Sequence, residues 1–110
     1  MSALAKRVAR GDVGTVVATM GTTATGSVDP LLEILELRDK FGFRVHVDAA
    51  YGGYFALASN LAKTSAKNFA RIGEANSTVI DPHKHGLQPY GCGCVLRFIN
   101  FGSRKCALTV

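Results

Sequence analysis

The sequence predicts an α/β fold, a mostly parallel sheet covered by helices, and three observations carry that prediction. Short apolar, β-branched runs alternate with segments of helical periodicity, in the order strand, helix, strand, helix, strand. Parallel strands need a crossover long enough to return along the sheet, and the spacing between the first three runs provides one. The polar residues also gather just after the strand candidates, where open α/β sheets place their ligands.

The 110 residues amount to about one small domain, and a hydrophobic content of 47% with 19% charged residues is that of a globular chain. "MSALAKRVARG" is basic and Ala-rich and reads as a short helix, lacking the length and Ser/Arg density of a transit peptide. "VGTVVATMG" (Val13 to Gly21) is a continuous apolar run closed by glycine, the pattern of a strand buried on both faces. Thr22 and Thr23 follow it. A helix comes next, with Asp29 as its cap and Pro30 at its first position. Leu31, Ile34, Leu35 and Phe41 form one apolar stripe before Gly42 stops it.

"RVHVDAA" (Arg44 to Ala50) is the second strand. The Ala-rich stretch from about Gly53 to Ile72 reads as helical with a break near Ser59 and Asn60. "STVID" (Ser77 to Asp81) is the third strand and "GCGCVLRF" (Gly91 to Phe98) the fourth. The fourth follows too closely for a helical crossover, so it is expected to be antiparallel or to lie elsewhere in the sheet. Neither a repeat nor a linker is visible. The ends of the first three strands converge on one crevice, which collects Thr22, Thr23, Asp48, Asp81, His83 and Lys84.

Bulk chemistry narrows the function classes. A formal net charge of +5 could suggest nucleic acid, but the thirteen Lys and Arg are scattered and form no basic stripe. No apolar run approaches the roughly 20 residues that span a bilayer. Three cysteines, an odd number with Cys92 and Cys94 one residue apart in a strand, fit a reducing compartment, so the expected location is cytoplasmic. "GTTATG" is not a phosphate-binding P-loop, because no Gly-Lys-Ser/Thr follows.

Asp48 stands in a strand that is otherwise Val, Ala and Gly. A carboxylate in such a place needs a cationic partner, because a buried unpaired charge is costly. A salt bridge to Lys84 at the neighbouring strand end is one reading. The other is that both residues touch one aromatic cofactor: pyridoxal phosphate requires a lysine amine, a carboxylate that keeps its pyridine nitrogen protonated, and donors for its phosphate. On that second reading the cation facing Asp48 is the pyridinium.

"TMGTTATGSVDPLLEI", "HVDAAYGG" and "DPHKHGLQPYGCG", in that order, resemble the group II pyridoxal-phosphate-dependent decarboxylases, the family of glutamate, aromatic-amino-acid and tyrosine decarboxylases. The resemblance runs from about residue 11 to 96, and residues 99–110 form an atypical tail. It implies the large domain of a fold type I enzyme, of which residues 1–110 are the central part. An upstream ring-stacking residue and a C-terminal domain are expected elsewhere in a full-length homodimer. It further implies Lys84 as the Schiff-base lysine and Asp48 as the partner of the pyridine nitrogen. Ala50 would lie against one face of the ring, Thr23 would meet its substituents, and His83 would stand near the phosphate and substrate. Asp81 occupies a position where some relatives use Asn towards the phosphate, but an ionised Asp only accepts hydrogen bonds.

The implied reaction is removal of carbon dioxide from an amino acid to leave an amine. Sphingosine-phosphate lyases and cysteine desulfurases share the Asp and His-Lys layout, so C–C lyase or desulfurase chemistry on the same cofactor is the alternative. A non-catalytic metal-binding or structural module using His83, His85, Cys92 and Cys94 is the alternative of another class. Cys-x-Cys departs from the usual structural-zinc spacing. His46 reads as a strand histidine with a local hydrogen bond. With two or three helices for about four strands, the 110 residues alone are expected to fold poorly or self-associate, and not to turn over amino acids.

Overall fold

The computed structural model describes residues 2–101 and 103–109, with side chains from residue 3 to 97. Helix α1 (Ser2–Ala9) leads into strand β1 (Thr15–Thr19), followed by helix α2 (Leu31–Phe41) and strand β2 (Arg44–Asp48). A short 3-10 turn (Gly53–Leu57), helix α3 (Lys63–Phe69) and a second 3-10 turn (Ile72–Glu74) then lead to strand β3 (Ser77–Ile80). Strands β4 (Cys94–Phe101) and β5 (Ser103–Thr109) complete the sheet, whose spatial order is β1-β2-β3-β4-β5. β1 pairs with β2 and β2 with β3 in parallel, while β3–β4 and β4–β5 are antiparallel. The fourth strand is therefore antiparallel, one of the two arrangements its short connection allowed. The tail continues the sheet as β5. Among the described residues no helix is long and apolar enough to cross a membrane.

The core lies on one face of the sheet. Ala18, Val45, Val47 and Ala49 point into it and meet Val8 of α1, Leu31, Ile34 and Leu35 of α2, and Phe69 of α3. Side chains alternate across a strand, so Thr15, Val17, Arg44 and His46 belong to the opposite face. There Val17 is 57% exposed. Within the described residues the expected burial of the first strand on both faces is not met: β1 stands at one end of the strand order, and these helices cover one side of it. Leu35 is 1% exposed, and Leu35→Ala should destabilise the fold by about 2–5 kcal/mol through lost burial and a residual cavity. Chemical denaturation with an unchanged slope and a lowered midpoint would register that loss.

Two details of α2 also differ from the sequence expectation. Asp29 does not cap the helix; its Oδ2 accepts the Thr19 N–H at 2.8 Å, while the Asp29 N–H donates to the Thr19 carbonyl at 2.9 Å. The carboxylate thus satisfies the end of an edge strand. The helix start is served from α3, where the buried Asn68 accepts the Leu32 N–H on its Oδ1 at 2.9 Å. Pro30 sits at the cap position, one residue before the helix. The apolar stripe holds for Leu31, Ile34 and Leu35, but Phe41 is 38% exposed because the helix ends there. Gly42 does stop the helix, at φ 78°, and its N–H returns to the Arg38 carbonyl.

Candidate active site

The parallel pairing of β1, β2 and β3 brings three strand ends to one side of the sheet, and each ladder is continued by a backbone bond beyond its last strand residue. The Met20 N–H donates to the Asp48 carbonyl at 2.8 Å, the Ala49 N–H to the Val79 carbonyl at 3.0 Å, and the Asp81 N–H to the Ala50 carbonyl at 3.2 Å. A cavity of about 250 Å³ opens there, lined by Thr19, Gly21, Thr22, Thr23, Asp48, Ala50, Tyr51 and Lys84.

After β1, the chain turns through Gly21 at φ 85° and Gly26 at φ 64°, conformations that glycine adopts without a Cβ clash. The Gly21 and Thr22 N–H groups both donate to the Ser27 carbonyl, and the Ser27 N–H donates to Thr22 Oγ1 at 3.0 Å. The Thr22 hydroxyl is thereby committed to shaping the loop, through Thr25 as well. Thr23, next to it, forms no hydrogen bond with a described residue, so its hydroxyl is open to a ligand. The floor is set by a glycine contact: a Cβ on Gly52 would lie 2.2 Å from the Met20 carbonyl oxygen and 2.6 Å from Gly21 Cα. Only two glycines let these loops approach so closely.

Asp48 is partly buried at the end of β2, where its Oδ1 accepts the Ala50 N–H at 3.1 Å. Among the described residues no cation pairs with it. Lys84 turns instead to its own loop, where Nζ lies 2.8 Å from Asp81 Oδ2. The salt bridge between Asp48 and Lys84, the simpler of the two sequence readings, is therefore not formed. The two groups face one cavity and do not neutralise each other.

Of the seven residues singled out from sequence, Thr22, Thr23, Asp48, Ala50 and Lys84 line the cavity, while Asp81 pairs with Lys84 from outside the lining. His83 is held outside the lining, with Nδ1 2.6 Å from the Cys92 carbonyl and its ring against Tyr90 at a centroid distance of 5.2 Å. The acceptor there makes Nδ1 the protonated nitrogen. His85 is on the other side of the loop, in ring contact with Tyr51 and Phe55. Among the described residues no group of three or more His, Cys, Asp or Glu is arranged to hold a metal ion. His46 bonds Ser77 Oγ through Nδ1 at 2.7 Å, the local bond expected of a strand histidine.

Thr19, Gly21 and Tyr51 were not singled out from sequence. Thr19 had a signal: it pairs with Asp48 in the β1–β2 register, so the two share a face. Tyr51 follows Ala50 directly, but whether its ring turns inward depends on contacts made far along the chain.

The model of the pyridoxal-dependent decarboxylase conserved domain matches residues 1–97. An L-2,4-diaminobutyrate decarboxylase of Acinetobacter baumannii is 40% identical over 84 residues, covering 76% of this chain and 16% of that protein. Among solved structures, the glutamate decarboxylase domain of a Vibrio parahaemolyticus diaminobutyrate-pyruvate transaminase and L-2,4-diaminobutyrate decarboxylase superposes with a TM-score of 0.70 at 35% identity. That match covers 87% of this chain and 20% of the other. Oryza sativa TDC, solved with PLP and tryptamine, matches with a TM-score of 0.66 at 29% identity over 86% of this chain and 19% of its own. The chain thus spans about a fifth of the length of these proteins.

Proposed function

The chain belongs to the pyridoxal-dependent decarboxylase family, and from that premise we propose that it forms the cofactor-attaching centre of an enzyme that converts an amino acid to an amine and carbon dioxide. The observation that carries this reading is the cavity in which an amine and a carboxylate are brought together unpaired with each other. The residues present fit pyridoxal phosphate: Lys84 supplies an amine, Asp48 a carboxylate without a protein cation, Thr23 an uncommitted hydroxyl, and Ala50 a small side chain against which a flat ring can lie.

When bound, pyridoxal phosphate supplies an aldehyde carbon for a lysine amine and a protonated ring that accepts the electron pair left by departing carbon dioxide. Lys84 is the attachment point in this proposal. Asp48 holds a proton at the pyridine nitrogen, which a carboxylate can do because it favours the charged form of a nearby base. Thr23 orients the ring through its hydroxyl. Asp81 steadies the Lys84 ammonium at the cavity wall before attachment, a role that suits an acceptor-only side chain better than contact with phosphate. His83 stands outside the cavity lining, and with Nδ1 on the Cys92 carbonyl it has Nε2 as its remaining ring nitrogen for a ligand.

The same proposal treats residues 1–110 as the central part of a large domain, completed in a homodimer by residues beyond this segment. It places the enzyme in the cytoplasm, where the free thiols of Cys92 and Cys94 remain reduced. Loading with pyridoxal phosphate, reduction with borohydride and digestion should leave a pyridoxyl group on Lys84. Finding it on Lys63 or Lys67 instead would overturn the assignment.

A further inference from the structure

Tyr51 lines the cavity, yet among the described residues its phenol makes no hydrogen bond and only ring contacts hold it. The His85 ring meets it nearly edge-on, with centroids 4.5 Å apart and planes at 80°. Phe55 meets it at 5.9 Å and 86°, and His85 also tilts over Phe55 at 5.1 Å and 49°. The three rings therefore close on one another. Edge-to-face pairs in this distance range are attractive beyond simple area burial.

The chain positions give the cluster its significance. Tyr51 and Phe55 follow β2, on the segment that carries Asp48, whereas His85 follows Lys84 directly. The ring cluster thus joins the two loops that bear the carboxylate and the amine, reinforcing the backbone bond between Asp81 and Ala50. His85 is exposed on its outer side, and no hydrogen bond to a described residue engages either ring nitrogen. Its contacts use the ring itself, not its capacity to carry a proton.

We infer that His85 is a positioning residue of the cavity: its ring holds Tyr51 in the wall and thereby fixes the Lys84 loop against the Asp48 loop. The consequence for pyridoxal phosphate rests on the functional reading above; the contact with Tyr51 does not. His85→Ala removes the ring, and His85→Phe keeps a ring while removing both nitrogens. Because the outer side of His85 faces solvent, neither change should lower the thermal midpoint appreciably.

The test uses the longest folded form of the protein that carries these residues, with fluorotyrosine incorporated and the Tyr51 resonance identified by its loss in Tyr51→Phe. Without cofactor, the Tyr51 resonance should move towards that of free fluorotyrosine in His85→Ala and stay in place in His85→Phe. In the second arm, pyridoxal phosphate affinity, read from the absorbance change on lysine attachment, should fall roughly threefold to tenfold in His85→Ala. His85→Phe should bind within about twofold of the parent. An unmoved Tyr51 resonance in His85→Ala would overturn the inference, as would a His85→Phe protein that matches the alanine variant in both arms. If His85→Ala does not fold, His85→Phe decides alone, since it must keep both the resonance and the affinity. A parent protein that takes no cofactor on Lys84 would instead overturn the functional reading, with the fluorine arm still deciding the role of His85.

Discussion

Asp48→Asn is expected to slow decarboxylation by roughly a hundredfold or more in an enzyme carrying this chain. The substitution keeps the shape of the side chain, and an amide oxygen can still accept the Ala50 N–H that Oδ1 accepts now, so the turn after β2 should survive. What disappears is the negative charge. Losing one partner of a buried ionic contact costs about 3–5 kcal/mol, and each ~1.4 kcal/mol placed on a barrier is about tenfold in rate. Among the described residues no cation competes for this carboxylate, which leaves its charge available to the ring nitrogen. Turnover measured at saturating cofactor separates this effect from weaker cofactor binding. A near-parental rate would mean that Asp48 does not hold the proton on the ring.

The second large effect is expected from Gly52→Ala. The added Cβ would lie 2.2 Å from the Met20 carbonyl oxygen, 2.6 Å from Gly21 Cα and 2.9 Å from the Gly21 carbonyl oxygen. All three are backbone atoms that cannot rotate aside. The Gly52 backbone itself, at φ −89°, suits alanine, so the penalty is purely one of space. Overpacking of this kind costs about 1–3 kcal/mol, and the two loops must part to relieve it. Both the denaturation midpoint and the affinity for pyridoxal phosphate should fall together. Gly73→Ala provides the comparison, because nothing lies within 4 Å of its added Cβ. It should change stability by no more than about 0.5 kcal/mol.

Much of the architecture was legible in the sequence because it depends on local pattern. The alternation of strand and helix signals gave three parallel strands, Gly42 gave the end of α2, and the short link before Cys94 left a fourth strand either antiparallel or elsewhere in the sheet, of which the antiparallel one is realised. Less legible was whatever depends on partners distant in the chain. Asp29 before Pro30 has the local signature of a helix cap, but the edge of β1 claims its carboxylate and Asn68, from α3, serves the helix instead. Val17 belongs to a run that is apolar throughout, so no alternation marks which of its faces stays open. In the cavity, residue type and strand-end position were enough to find Lys84, Asp48 and Thr23, while Ala50 came from the family resemblance. Tyr51 escaped notice because its ring packs against His85, thirty-four residues away, as well as against Phe55 of its own segment.

The β1–β2 ladder sets Thr19 opposite Asp48, and the β2–β3 ladder sets Asp48 opposite Val79. A slip of one residue in either pairing would carry every side chain of the displaced strand to the other face. Val45 and Val47 would leave the core at the same moment that Asp48 left the cavity, so the apolar pattern that stabilises the sheet also proofreads the position of the carboxylate. A misaligned chain can still collapse and show ordinary secondary structure, but it would have no place where amine and carboxylate meet. On the proposed function, capture of pyridoxal phosphate would therefore work as a gauge of strand alignment, reporting during refolding the moment at which the two parallel ladders come into correct step.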